Sequence, residues 1–282
     1  MKKVMKFNHK MLTIHAHLAI ATIFLVSMVF GEAKALAQRE TNPNERETLL
    51  ERPHDAHIET HWAYHGIEGP EHWAILSPHY LTCEAGYYQS PINIKMDHTT
   101  MTLENFSFDY QPTRIRMVNN GHTIQVNAEP DSRLLLNGRP YKLRQFHFHE
   151  PSEHHVDGQA FAMELHLVHQ DPHGHVVVVA VLMKLGEENM ALATFWDQLP
   201  SNVETLLTTD VKLNPQHLIP ETRHYFAYEG SLTTPPCTEG VHWIVLRDPI
   251  HISADQLEQF LAVCGDNARP VQALHNRTLE AF

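Results

Sequence analysis

The chain has 282 residues, 43% of them hydrophobic and 19% charged, with a formal charge of −12 at pH 7. That balance suits one sizeable core and excludes an extensively disordered chain. An acidic chain without a basic run also excludes nucleic acid and anionic membranes as partners, which leaves a small molecule.

At the N-terminus Lys2, Lys3, Lys6 and Lys10 precede an apolar stretch from about Leu18 to Phe30, followed by the Ala35-Leu36-Ala37 step. This is the pattern of a secretory signal over residues 1–37, cleaved near Gln38. Retained, the same stretch would be a membrane anchor, although His15 and His17 interrupt its longer version. Removing it takes away five lysines and one glutamate and moves the formal charge to −16. Residues 38–60 are polar, lack apolar periodicity and read as a flexible leader. One domain then spans 61–282, with no composition break and no repeat. Export predicts a periplasmic or secreted protein, free of the membrane after cleavage. Cys83 and Cys237 lie in turn-rich segments, and a disulfide between them suits an oxidising compartment. Cys264 is left over, either as a half-buried free thiol or as a link between the two chains of a homodimer.

From His61 onward, short apolar or alternating runs separated by turns predict a mainly β (α+β) fold with a few short helices. The expected strands are 114–118, 123–127, 133–136, 141–149, 160–168, 176–185 and 241–246. Asn119-Asn120-Gly121 and Asn137-Gly138 supply hairpin turns. The run from Val176 to Leu185 is apolar on both alternating faces and belongs in the sheet centre. In the strand before it, Phe161, Met163, Leu165 and Leu167 share one face while Glu164, His166 and Val168 share the other. Helices are expected over 189–199 and from Ser253, where Ser253 and Gln256 fit a capping box and Leu257, Phe260 and Leu261 form one stripe.

The chemistry concentrates in two of these strands. His147 and His149 stand two residues apart, so an extended strand points both imidazoles to one face with Gln145 beside them. A facing strand supplies His166, with Glu164 two residues before it. Three neutral nitrogens suit Zn²⁺ and leave a tetrahedral ion one open position, as in catalytic rather than structural sites. With 24 histidines in the chain, a single one carries no weight; His54, His57, His173 and His175 fall in leader or loop segments and are given no role. His147, His149 and Glu153 also fit the first motif of a cupin, but the second cupin motif is missing downstream.

Further segments settle the comparison. His61-Trp62-Ala63-Tyr64, Gly69-Pro70-Glu71-His72-Trp73, Gln89-Ser90-Pro91-Ile92-Asn93-Ile94, Ser231-Leu232-Thr233-Thr234-Pro235-Pro236, Arg269-Pro270-Val271-Gln272 and Asn276-Arg277 occur in the order found in α-class carbonic anhydrases. Over nearly the whole mature chain the sequence resembles the branch of that family exported by bacteria. The resemblance implies a central twisted, mostly antiparallel sheet of about ten strands and reversible hydration of carbon dioxide to bicarbonate, with a weak esterase side activity. It implies Zn²⁺ held by His147, His149 and His166, with Gln145 and Glu164 behind them. It makes Thr233 and Glu153 the pair that orients the nucleophile, and His122 the proton shuttle. Tyr64, Asn120 and Gln125 would order water, with Gln125 where asparagine is more usual. Val168, Val178, Leu232, Val241 and Trp243 become the apolar wall for carbon dioxide, and Thr234 the contact for bicarbonate. Non-catalytic relatives that use the fold for binding usually lose a zinc histidine, and all three are present here.

Overall fold

A computed structural model describes residues 60–101 and 105–282. The expected signal peptide and the leader up to residue 59 lie outside the described residues. The strands are β1 (Asn93–Ile94), β2 (Thr100–Met101), β3 (Phe106–Asp109), β4 (Thr113–Asn119), β5 (Ile124–Asn127), β6 (Arg133–Leu136), β7 (Arg139–His149), β8 (His155–Val156), β9 (Met163–Gln170), β10 (Val176–Leu185), β11 (Leu206–Leu213), β12 (Tyr225–Ser231), β13 (Glu239–Ile252) and β14 (Glu280–Ala281). Ten of them follow one sheet path, β11-β4-β5-β7-β9-β10-β13-β12-β14-β2, and β3 and β6 join it beside β7. Within this sheet only β10 with β13 and β14 with β2 run parallel among the described strands.

The sheet is apolar on both sides, which is why its central strands show little alternation. Met117, Val126, Phe146, Leu167, Val179 and Ile244 belong to the larger core on one face. Val178, Ala180, Tyr228, Trp243 and Val245, with Ile92 and Ile94, form a second cluster on the other. Each large aliphatic side chain buried this way stabilises the fold by about 1.5–3 kcal/mol. β10 sits between β9 and β13 and is buried from Val177 to Met183. Strand β9 divides as expected, with Met163, Leu165 and Leu167 in the larger core and Val168 against the second cluster. Phe161 departs from the expectation: it precedes the strand and packs against the second cluster, away from Met163.

Asn137 and Gly138 take positive φ values of 50° and 79° and close the two-residue hairpin from β6 to β7, as a type I′ turn requires. In β7 the buried hydrophobic positions are Tyr141 and Leu143, then Phe146 and Phe148. The change of phase is a bulge, because Leu143 pairs with His169 and Gln145 with Val168, leaving Arg144 unpaired against β9. The helix expected over 189–199 is broken into Met190–Ala193 and a 3-10 turn at Trp196–Gln198. Phe195 and Trp196, adjacent in sequence, are both buried, and the Trp196 indole donates to the Gln256 carbonyl at 2.8 Å. A regular helix points consecutive residues about 100° apart, so tertiary burial overrides the local pattern. The helix Ala254–Cys264 has the expected Ser253 and Gln256 capping box. Its stripe is narrower than predicted, with Phe260 buried and Leu261 37% exposed.

One core histidine makes stability pH-dependent. His169 is fully buried, with Nε2 against the Tyr110 hydroxyl at 2.8 Å and Nδ1 against the Val177 carbonyl. Burial lowers its pKa to about 4, with the hydrogen bond to Val177 opposing. The unfolded chain therefore binds a proton near pH 6.5 that the folded protein refuses until about pH 4. Stability is unaffected above the higher value and falls as pH drops through this window, by about 3 kcal/mol in total. Urea midpoints between pH 7 and pH 4 should show this loss, and His169→Gln should flatten it.

Candidate metal centre

The metal-binding geometry follows from strand register. β7 and β9 are adjacent hydrogen-bonded strands rather than facing ones, with His147 opposite His166 and His149 opposite Glu164. Antiparallel register puts directly opposed side chains on one face, so the three imidazoles converge. Their ring centroids lie 4.6–5.2 Å apart, and each offers one nitrogen within 4.8 Å of the others.

Each ring is held by an oxygen. His147 Nδ1 lies 2.8 Å from Gln145 Oε1, His149 Nδ1 2.8 Å from the Asn267 carbonyl, and His166 Nε2 2.8 Å from Glu164 Oε1. An amide oxygen, a carbonyl and an ionised carboxylate only accept, so these ring nitrogens donate. In the neutral rings the lone pairs then fall on Nε2 of His147 and His149 and on Nδ1 of His166. Burial holds His147 well below the usual imidazole range, reinforced by His149 and His166, and burial lowers His149 too. Burial disfavours charge on Glu164, yet His154 and His166 hold its carboxyl well below the usual range.

The donor set fits a dication on an independent observation. His149 Nε2 and Glu153 Oε2 are both buried without a hydrogen-bond partner, and they face each other at 3.6 Å. Glu153 Oε2 is also 4.0 Å from His166 Nδ1. Unpartnered buried acceptors in contact are costly unless a cation or a donor sits among them. Three nitrogens with no thiolate match the ligand set of catalytic Zn²⁺.

Residues 68–282 match the family described as eukaryotic-type carbonic anhydrase. The chain belongs to that family. It is 43% identical to the carbonic anhydrase of Neisseria gonorrhoeae over 226 residues, covering 78% of this chain and 87% of that one. Its identity to the Pectobacterium carotovorum carbonic anhydrase is 41% over 224 residues, 78% of this chain and 90% of that one. Among solved structures, the α-carbonic anhydrase of Thermovibrio ammonificans in complex with the inhibitor sulfanilamide superimposes with a TM-score of 0.77. It is 43% identical and covers 78% of this chain and 99% of that chain. Membership of the carbonic anhydrases makes this chain a lyase.

Of the remaining candidate residues of this anhydrase, Glu153 and Trp243 lie against the histidines, and the other apolar ones cluster with Trp243. Val178, Val241 and Trp243 are buried in the second cluster, with Val168 and Leu232 packed against it. The Trp243 and His166 ring centroids are 4.9 Å apart. Thr233 is buried, and the Thr234 carbonyl accepts the Cys237 N–H at 2.8 Å. Glu153 Oε1 accepts the Arg269 N–H at 2.9 Å. Because Oε2 is unpartnered, the hydrogen bond to Thr233 implied by the resemblance is not formed through it. His122 stacks on Trp62 with centroids 3.6 Å apart, and burial, then His61, lowers its pKa. Tyr64 packs edge-on against Trp62 and Trp73, and burial raises its phenol well above the usual range. The Asn120 side-chain oxygen accepts the His122 and Thr123 N–H groups, and Gln125 donates to Asn127 at 2.8 Å.

Cys83 and Cys237 are joined by a disulfide. Cys264 is a half-buried free thiol that burial pushes up to about 12. Two contributors to the metal face escaped the sequence reading, Asn267 and His154. Asn267 acts through a main-chain oxygen, which leaves no residue-type mark, and its proximity to the Arg269-Pro270 motif was the available hint. His154 immediately follows Glu153 but was indistinguishable among so many histidines.

Proposed function

We propose that this protein is an exported, zinc-dependent enzyme that interconverts carbon dioxide and bicarbonate. The observation that carries the reading is the convergence of three imidazole lone pairs whose opposite nitrogens are each committed to an oxygen. His147 and His149 would hold the ion through Nε2 and His166 through Nδ1. Bound there, zinc supplies the Lewis acidity that makes hydroxide available at neutral pH. Gln145, Asn267 and Glu164 keep the rings in the required tautomers.

Glu153 is anchored at Oε1 by the Arg269 N–H, and its unpartnered Oε2 would accept from the Thr233 hydroxyl once the ion is bound. A hydroxyl that donates there must accept from the attacking oxygen, and this aims the nucleophile's lone pair at the substrate. Val168, Val178, Leu232, Val241 and Trp243 offer carbon dioxide, which has no charge to grip, a dry surface. The Thr234 hydroxyl contacts bicarbonate. His122, with its lowered pKa, accepts the proton released in each cycle and passes it to buffer, while Tyr64, Asn120 and Gln125 order the water between. Weak ester hydrolysis uses the same nucleophile. The disulfide supports a periplasmic or secreted location, and no helix of the described residues is long and apolar enough to cross a membrane.

Zinc content of the mature protein, measured beside stopped-flow hydration, tests the proposal. One zinc per chain with fast hydration is expected, and a metal-free or inert protein ends it. His122→Ala should slow turnover in weak buffer and regain part of it when imidazole is added. Neither slowing nor rescue would remove His122 as the shuttle.

A further inference from the structure

The hydrogen bonds behind His166 do not stop at Glu164. His154 Nδ1 lies 2.6 Å from Glu164 Oε1, the oxygen that also meets His166, and the His154 backbone N–H donates to Oε2 at 2.7 Å. The other His154 nitrogen, Nε2, is 2.6 Å from the Tyr228 hydroxyl, whose oxygen lies 2.9 Å from Ser90 Oγ. Ser90 and Ser231 are tied twice: the Ser90 N–H donates to Ser231 Oγ at 2.9 Å, and the Ser231 N–H to Ser90 Oγ at 3.1 Å. His166, Glu164, His154, Tyr228, Ser90 and Ser231 are each at most 3% exposed.

The path has functional residues at both ends. One end is His166, and the other is Ser231, two residues before Thr233. The backbone makes room for it at one glycine. A Cβ on Gly230 would lie 2.2 Å from Ser90 Oγ and 2.9 Å from both Trp243 Cδ1 and Tyr228 Cε2. Any side chain at 230 would therefore separate the Tyr228 and Ser90 hydroxyls or displace the Trp243 ring. A buried polar chain of this length is expensive unless every member is satisfied, and once satisfied it admits few arrangements. Glu164 has three donors on two oxygens, so it cannot rotate toward the ion without breaking the bonds to His154.

We propose that His154, Tyr228 and Ser90 are positioning residues for metal retention. Through Glu164 they hold His166 as an Nδ1 ligand, and through Ser231 they register the Thr233 loop against it. None of the three touches the reacting atoms. The inference rests on the zinc reading above. Zinc-loaded wild type, Tyr228→Phe and Ser90→Ala would be mixed with excess dipicolinate and the release of zinc followed, and melting midpoints taken with and without zinc. Ile115→Val, a core change on the opposite face, serves as the control for lost stability alone.

Tyr228→Phe should release zinc roughly 10-fold faster than wild type, within the range for losing a partner behind a ligand. Ser90→Ala should shift it in the same direction. Their midpoints should fall more in the zinc-loaded protein than in the apoprotein, because weaker binding lowers only the former. Ile115→Val should lower both midpoints equally and release zinc at the wild-type rate. If wild type holds zinc while Tyr228→Phe and Ser90→Ala release it at the wild-type rate, the positioning role is overturned and the zinc reading stands. If wild type takes up no zinc, the zinc reading itself falls, and this inference with it.

Discussion

His147→Ala should yield a folded protein that carries no zinc and hydrates carbon dioxide at the buffer's own rate. His147 is the least buried of the three imidazoles, and the hydrogen bond holding its ring is the one to Gln145. Its loss therefore removes a ligand with little damage to the core. Two nitrogens remain, too few for a stable catalytic site. Gln145→Ala gives the graded comparison: the ligand stays but its tautomer is no longer fixed, and zinc affinity should weaken about 10- to 100-fold. Metal content, chelator competition and stopped-flow hydration check both variants. Full activity in His147→Ala would remove it from the ligand set.

Opening the Cys83 to Cys237 disulfide should be the most damaging change to stability. The bond closes a sequence separation of 154 residues, for which the chain-entropy account gives about 5 kcal/mol, and loss of native disulfides typically costs about 2–5 kcal/mol. The bridge also sits in a small apolar cluster with Trp73 and Tyr80, against which Trp62 and Tyr64 pack. Its neighbours bear on the metal face: Arg269 donates to the Cys83 carbonyl at 2.7 Å, Gln89 donates to the Cys237 carbonyl at 3.1 Å, and the Arg269 N–H anchors Glu153. Cys83→Ser with Cys237→Ser should lower the unfolding free energy in urea by at least 2 kcal/mol, and reductant should produce the same loss in wild type. A change below about 1 kcal/mol would show that the closed loop contributes little.

How much could be read in advance depended on whether a residue acts through its type or its surroundings. His147, His149 and His166 were readable because a period of two fixes the face each side chain takes. β10 was readable because ten residues from Val176 to Leu185 are nearly all aliphatic. The capping box at Ser253 is a local pattern with a local cause. β12 was missed because Tyr225, Phe226, Ala227 and Tyr228 are buried on both faces, which erases alternation. β11 was missed although its burial alternates throughout, because Thr209 places a polar residue on its inward face beside exposed Thr208 and Asp210. The break after Ala193 depends on where Phe195 and Trp196 find space, which is a tertiary matter. Asn267 shows the same limit at the metal face, since its carbonyl would serve equally on any residue placed there.

The unpaired residue at Arg144 has a consequence for what insertions and deletions the gene can tolerate. β7 is two half-strands of opposite parity spliced at that point: upstream, odd positions enter the larger core, and downstream, even positions do. Excising Arg144 alone would restore an unbroken alternation in which Tyr141, Leu143, Phe146 and Phe148 all keep to the larger core and His147 and His149 to the other face. A one-codon loss at this position, in an exposed arginine, would thus spare the facing of both halves, and what it removes is the bend and extra local twist that a bulge gives the strand.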